Sequence, residues 1–134
     1  MTGLNGKVTS FTTADLADLP RATASLRSGD KATAYEGALL SAVLKEAGVP
    51  SGPRLHGKPV ASVVVITAAD GYRVVLSLAE ADASFRDGAI ILADRKADGP
   101  LAADDGPLRL VIDADKRPER SIRQVVSIKV VPAP

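Results

Sequence analysis

Two runs of β-branched residues joined by an Asp-Gly pair constrain the fold of this chain most strongly. Residues 60–67 are almost continuous in Val and Ile, and residues 72–76 have the same character after Asp70-Gly71. Asp-Gly is favoured in tight hairpin turns, and β-branched residues are enriched in strands. The pattern predicts an antiparallel hairpin whose first strand is covered on both faces and lies centrally in a sheet.

Further strands are predicted where short apolar runs are bounded by polar turns. They are residues 8–12, 22–26, 89–93, 108–112 and 122–131. We expect the first two of these strands to pair with each other as a hairpin-like unit, and residues 27–31 and 97–100 to form turns.

One helix is predicted clearly, over residues 38–47. Its apolar residues recur at spacings of three and four: Leu40, Val43, Leu44 and Ala47. This spacing places them on one helical face, and Gly48 supplies a C-terminal stop. Two shorter helical turns are predicted, one over residues 14–17 capped by Thr12 or Thr13, and one from the capping-box spacing of Ser77 and Glu80.

The order of these elements indicates the fold class. Strands outnumber helices and do not alternate with them strictly, so we expect an α+β fold with a mixed or largely antiparallel sheet and a few short helices. A chain of 134 residues suits one ordinary domain, here residues 1–134 with a core over about 7–131.

The composition disfavours several partners and chemistries. A formal net charge of +1 and only 3% aromatic residues argue against a nucleic-acid partner. No segment approaches the roughly 20 apolar residues that a membrane span needs, so membrane insertion is not expected. Without cysteine the sequence offers no disulfide, thiolate metal ligand or thiol nucleophile. Phosphate-loop, dinucleotide, nucleophile-elbow and zinc-protease motifs are also missing from the sequence.

The hairpin turn carries the first candidate ligand-binding residues. Asp70, Gly71, Tyr72 and Arg73 would lie together at one end of the sheet, although a plain hairpin turn, with Tyr72 packed on a neighbouring helix, explains them without any ligand. Arg95 follows a buried strand and can hold a phosphate or carboxylate bidentately if it faces a pocket; the alternative is a solvated turn.

His56 is the only histidine and is a further candidate for ligand binding. A catalytic histidine needs an orienting partner or a nucleophile, and none can be assigned, so no catalytic residue and no metal ligand is predicted. Arg123 is expected to point to solvent, and Asp104-Asp105-Gly106 is interpreted as an acidic turn without the oxygen ligands of a calcium loop.

Several segments taken in order resemble a known family. They are residues 11–16, 35–37, 39–48, 69–72, 91–93, 106–111 and 123–128. Together they resemble the oxidoreductase molybdopterin-binding domain, the fold of sulfite-oxidase-type enzymes, in a small stand-alone form covering about residues 8–131.

The resemblance implies a molybdopterin cofactor, but the metal-ligand segment is missing. In the full-length enzymes a cysteine between the elements matched here by residues 22–26 and 35–37 ligates the molybdenum, and only residues 27–34 join them in this chain. A distant oxygen ligand cannot replace a soft thiolate without changing the site. The resemblance also implies an exported, periplasmic protein in its mature form.

Three functions are compatible with these features. The first is a binding module that takes a small ligand or a protein partner without sulfite-oxidase-type catalysis. The second is a molybdopterin-dependent oxidoreductase, or a subunit of one, with a cleft lined by Asp70, Tyr72, Arg73 and Arg95. The third is an exported structural or interaction domain that pairs through a sheet edge.

Overall fold

Short strands and short helices follow one another along residues 10–132, which the computed structural model describes. The α-helices are α1 (Thr13–Ala17) and α2 (Leu40–Glu46). The strands are β1 (Arg21–Ser28), β2 (Lys31–Leu39), β3 (Val63–Ala68), β4 (Arg73–Ser77), β5 (Ile90–Lys96), β6 (Gly99–Pro100), β7 (Arg109–Ile112) and β8 (Val125–Val131). Short 3₁₀ segments lie at Gly52–Arg54, Lys58–Ala61, Leu78–Ala81 and Pro118–Arg120. Every strand pair among these elements is antiparallel, which confirms the predicted α+β class.

The larger sheet is built around β5. Strand β2 pairs with one side of β5, β7 and β6 pair with the other side, and β1 pairs with β2. The free edge of β1 lies near the end of β7, where the Ser25 amide donates to Asp113 Oδ1 at 2.9 Å. A carboxylate therefore satisfies an edge amide, and the sheet curls around a small core that includes Tyr35, Ile91 and Val111.

The backbones of the paired strands β2 and β5 approach each other very closely at Gly37. The register of the pair shifts between Glu36 and Gly37, which marks a β-bulge. A Cβ atom on residue 37 would overlap the Leu92 carbonyl oxygen and lie 2.6 Å from Ala93 Cα. Only glycine fits at this close approach, because the obstructing atoms belong to the backbone rather than to a movable side chain.

The smaller sheet contains the predicted hairpin. Strands β3 and β4 pair with each other, and β8 pairs with the other side of β3. The Tyr72 carbonyl oxygen accepts from the Ala68 amide at 2.8 Å, and Gly71 has a φ of +89°, so Asp70-Gly71 forms the tight turn as predicted.

One prediction for β3 is wrong. Val64, Ile66 and Ala68 are buried, whereas Val63, Val65 and Thr67 are only half-buried, so β3 is not covered on both faces. An antiparallel sheet can pack one face on the core and leave the other face toward water. The inner face joins α2, whose Leu40, Val43 and Leu44 are buried as the helical spacing predicted.

The predicted pairing of residues 8–12 with β1 is also wrong. Residues 8–9 lie outside the described part of the chain, and residues 10–12 are not a strand. Instead β1 pairs with β2 along its whole length, from Arg21 opposite Ala38 to Ser28 opposite Lys31. The tight turn at Gly29-Asp30 makes this partner immediately available, whereas Thr12 caps helix α1.

Both predicted N-caps are present, and each of them forms a capping box. Thr12 Oγ1 accepts from the Asp15 amide at 3.0 Å, and Asp15 Oδ2 accepts from the Thr12 amide at 2.9 Å, which fixes the start of α1. Ser77 and Glu80 exchange the same pair of bonds at 3.0 and 3.2 Å. Glu80 also accepts from Arg120 at 3.2 Å, so this cap links β4 to the segment before β8.

Two carboxyl groups near this cap are charged more readily in the folded chain. Partial burial raises the pKa of Glu80, whereas hydrogen bonds from Ser77 and Arg120 lower it. The hydrogen bonds together outweigh burial, so the pKa lies below its ordinary value of 4.5. Burial likewise raises the pKa of Asp82, while bonds from Ser84 and Gly52 bring the net pKa below 3.8.

We predict that the protein loses stability in acid because of these groups. A carboxyl whose pKa is lower in the folded chain stabilises it fully above its unfolded pKa and ceases to do so as the pH falls through the folded pKa. Urea unfolding should therefore show a falling free energy of unfolding below about pH 4.5, the ordinary pKa of Glu80. Asp82→Asn should reduce this decline, and Asp98→Asn, in the exposed β5–β6 turn, should leave it unchanged. An identical pH profile for wild type and Asp82→Asn would contradict the assignment.

Candidate functional site

A polar cavity lies where three loops meet at one end of the smaller sheet. The loops are the β3–β4 turn, the segment before β7 and the segment before β8. The cavity volume is about 460 Å³. Its apolar lining comes from Ala68, Pro118 and Ile122. Its polar lining comes from Asp70, Tyr72, Asp104, Arg109, Glu119, Ser121, Arg123 and Gln124.

Backbone hydrogen bonds fasten these loops to one another through Gln124. The Gln124 carbonyl oxygen accepts from the Ala69 amide, and the Gln124 amide donates to the Asp105 carbonyl oxygen, both at 3.0 Å. Gln124 also has a φ of +51°, in the left-handed region that non-glycine residues rarely adopt. Such backbone persists only where its surroundings determine it, and these two hydrogen bonds hold Gln124 in place.

Arg109 is the buried charged group of the cavity wall. Its side chain is 8% exposed, and Nε donates to the Ser121 carbonyl oxygen at 3.2 Å. Nη1 lies 3.2 Å from Asp105 Oδ2 and donates to Tyr35 Oη at 3.4 Å, and the guanidinium lies 5.6 Å from the centre of the Tyr35 ring. Within residues 10–132 no side-chain or backbone acceptor engages Nη2.

Asp105 connects Arg109 to a second guanidinium. Asp105 Oδ1 lies 3.1 Å from Nε of Arg123, whose side chain is 59% exposed, whereas the Asp105 side chain is 12% exposed. In the predicted acidic turn the side chain of Asp105 therefore points inward. It lies four residues before Arg109 and compensates the charge of that buried guanidinium. Arg123 is mainly exposed to solvent, as expected, and it also lines the rim of the cavity.

Asp70 and Tyr72 are the candidate residues that the structure brings to this cavity. Asp70 Oδ1 accepts from the Tyr72 amide at 3.0 Å, a local bond that fixes the turn. Tyr72 Oη donates to the Glu119 carbonyl oxygen at 3.1 Å, so the half-exposed ring reaches across to the Pro118–Arg120 segment. Gly71 forms the apex of the turn between them.

The other candidates lie elsewhere. Arg73 is exposed on β4, and His56 is exposed between two 3₁₀ segments. Arg95 is exposed on β5, where its Nε lies 3.2 Å from Glu36 Oε2 and donates to the Lys96 carbonyl oxygen at 3.1 Å. None of the three lines the cavity, so Asp70, Tyr72, Arg73 and Arg95 share no cleft in the part of the chain that the structure describes. Arg109 and Arg123 occupy the place that Arg73 and Arg95 were expected to take.

The sequence contained one overlooked signal for Arg109. A lone arginine stands inside the apolar run of residues 108–112, which was predicted to be a strand. Charged side chains are almost never fully buried unless they are paired. A buried Arg109 therefore requires a carboxylate partner, and Asp105, four residues earlier in the sequence, is that partner.

The described residues also bear on metals and membranes. In residues 10–132 no group of three or more His, Cys, Asp and Glu side chains is placed to hold a metal ion. None of the helices in this part of the chain is long and apolar enough to cross a membrane.

Fold and cavity together define an antiparallel α+β domain with a polar site at its strand-end loops. The family model for the oxidoreductase molybdopterin-binding domain matches residues 1–134. The chain therefore belongs to the oxidoreductase molybdopterin-binding domain family, as the order of its motifs indicated. No curated protein matches it.

The residues present do not fit a thiolate-ligated molybdenum site. The sequence has no cysteine, and β1 and β2 pair without interruption up to Ser28 opposite Lys31. The connection between these strands is thus the Gly29-Asp30 turn, which is too short to form a ligand-bearing loop. Neither the soft donor nor the segment that would present it exists between these two elements.

Proposed function

We propose that this chain is a small-ligand-binding module of its family and that it works without sulfite-oxidase-type catalysis. The cavity beside Arg109 supports the binding function. The tight β1–β2 turn, which has no thiolate, supports the absence of sulfite-oxidase-type catalysis. Small-molecule sites are concave, largely preformed and lined by apolar groups with a few fixed polar ones. A volume of about 460 Å³ lies in the range of such sites.

The arrangement of the wall supports binding because its polar groups are already in place. Arg109 is held by Ser121, Asp105 and Tyr35, so a ligand need not immobilise it. The Ser121 hydroxyl is buried and has no hydrogen-bond partner among residues 10–132. Buried polar groups without a protein partner are exceptions in folded proteins, and each one calls for an explanation.

The chemistry of the lining favours binding over catalysis. The cavity offers guanidinium, carboxyl, phenol and amide groups, whereas the single imidazole, His56, lies in another loop. Nucleophilic catalysis needs a nucleophile beside an activating base, and the hydroxyl of Ser121 has no such neighbour in the described residues.

We predict that small polar compounds bind in this cavity. Amide chemical shifts of ¹⁵N-labelled protein, recorded with a library of small heterocycles, acids and amines, should change at residues 121–124 and 68–72. Asp104 is exposed and lines the cavity, so Asp104→Trp should fill its mouth and weaken this binding about tenfold or more. Asp98→Trp adds the same indole in a distant exposed turn and should have no effect.

The same protein, produced in a host that makes the molybdenum cofactor, tests the second half of the proposal. Elemental analysis should find far less than one molybdenum atom per chain, and the protein should be colourless, while a cysteine-containing family member prepared in parallel should load the metal. Stoichiometric molybdenum together with reduction of an artificial electron acceptor would refute a non-catalytic function. Shift changes that Asp104→Trp leaves intact would refute the cavity as the binding site.

A further inference from the structure

We propose that the ligand of this cavity carries a single carboxylate, which binds between Arg109 and Arg123. This inference rests on the proposed binding function and adds the chemical class of the ligand. It starts from the balance of charge around these two guanidinium groups.

The two guanidinium groups share one carboxylate. Asp105 lies 3.2 Å from Arg109 through Oδ2 and 3.1 Å from Arg123 through Oδ1. The three side chains therefore carry a formal charge of +1 in a partly desolvated place. One further monoanionic group would bring this cluster to neutrality.

Donors remain available on both arginines. Nη2 of Arg109 forms no hydrogen bond with residues 10–132, and Arg123 contacts Asp105 through Nε at 3.1 Å. Arginine presents parallel N–H groups that match the two oxygens of a carboxylate. Because Arg109 lines the cavity and is otherwise enclosed, a ligand reaches it only from the cavity, where such bonds are strong.

The rim explains why a dianion is disfavoured. Asp70 and Asp104 are exposed and line the same cavity. Their carboxylates would repel a doubly charged phosphate about twice as strongly as a monoanion. Glu119 adds little to this repulsion because Arg117 pairs with it at 2.8 Å. Pro118, Ile122 and the ring of Tyr72 offer an apolar surface for the rest of the ligand.

Benzoate and benzamide provide a direct test, since they share one shape and differ in charge. Titrations at neutral pH, followed by the amide shifts of residues 121–124, should give a benzoate Kd about tenfold below that of benzamide. Arg123→Gln should abolish this preference, because the Arg123 side chain is 59% exposed and its replacement leaves the core intact. Arg73→Gln removes a cation outside the cavity and should keep the preference.

The possible outcomes separate the two proposals. If benzamide binds as well as benzoate, or inorganic phosphate binds more tightly than benzoate, the carboxylate inference is wrong while a binding cavity remains. If no compound of any charge perturbs the cavity, both proposals fail. A benzoate preference that persists in Arg123→Gln would also overturn the assignment to this pair of arginines.

Discussion

Gly37→Ala is expected to lower the free energy of unfolding by about 3 kcal/mol or more, a large part of the stability of a domain of this size. The new methyl group would overlap the Leu92 carbonyl oxygen and crowd Ala93 Cα at 2.6 Å. Relief requires β2 and β5 to separate, which breaks the ladder that holds the larger sheet together. Urea unfolding followed by circular dichroism gives the measurement.

Gly99→Ala is the matched control for this substitution. Gly99 lies in β6 of the same sheet, and a Cβ atom there would meet nothing within 4 Å. Its stability should stay close to that of the wild type. Equal stability of the two variants would show that β2 and β5 can separate at Gly37 without loss.

Asp105→Ala is expected to destabilise the protein by about 3–5 kcal/mol, because it leaves the buried Arg109 guanidinium without its compensating carboxylate. The double variant Asp105→Ala with Arg109→Met should recover part of this loss, since methionine fills similar space without a charge. Thermal or urea unfolding of the two single variants and the double variant forms a double-mutant cycle, which isolates the interaction between the two residues.

A surface ion pair supplies the comparison for that cycle. Arg117 Nη2 and Glu119 Oε1 lie 2.8 Å apart, closer than Arg109 and Asp105, but both side chains are mainly exposed, so Glu119→Ala should change stability little. If Asp105→Ala were equally mild, the Arg109 charge would have to be compensated by groups other than Asp105.

The local elements of the fold were predictable because their determinants are adjacent in the sequence. The Asp70-Gly71 turn and the capping boxes at Thr12 and Ser77 each depend on residues within four positions of one another. Strand β2 was missed because Lys31–Leu39 mixes charged, small and apolar residues without regular alternation. Its identity as a strand depends on its pairing with β1 and β5, and β5 lies more than fifty residues away in the sequence.

The candidate site was predictable only in part, for a similar reason. Asp70 and Tyr72 follow from the turn itself, whereas Arg109 and Arg123 reach the same cavity from two later loops. Arg95 looked equivalent to them in the sequence, but its register opposite Glu36 turns it toward an exposed ion pair on the larger sheet. Strand register and loop packing decide which arginine faces a cavity, and neither can be deduced from the local sequence around each arginine.

The Gly29-Asp30 turn has a consequence for how chains of this fold can diverge. Its flanking residues, Ser28 and Lys31, are exposed and lie opposite each other, so a segment inserted there would begin and end at neighbouring strand ends. Loop-closure entropy grows only logarithmically with length, and each doubling of the insert costs about 0.6 kcal/mol. The β1–β2 tip is therefore a natural grafting point, at which this scaffold can exchange a compact turn for a long cofactor-bearing loop without rebuilding its core.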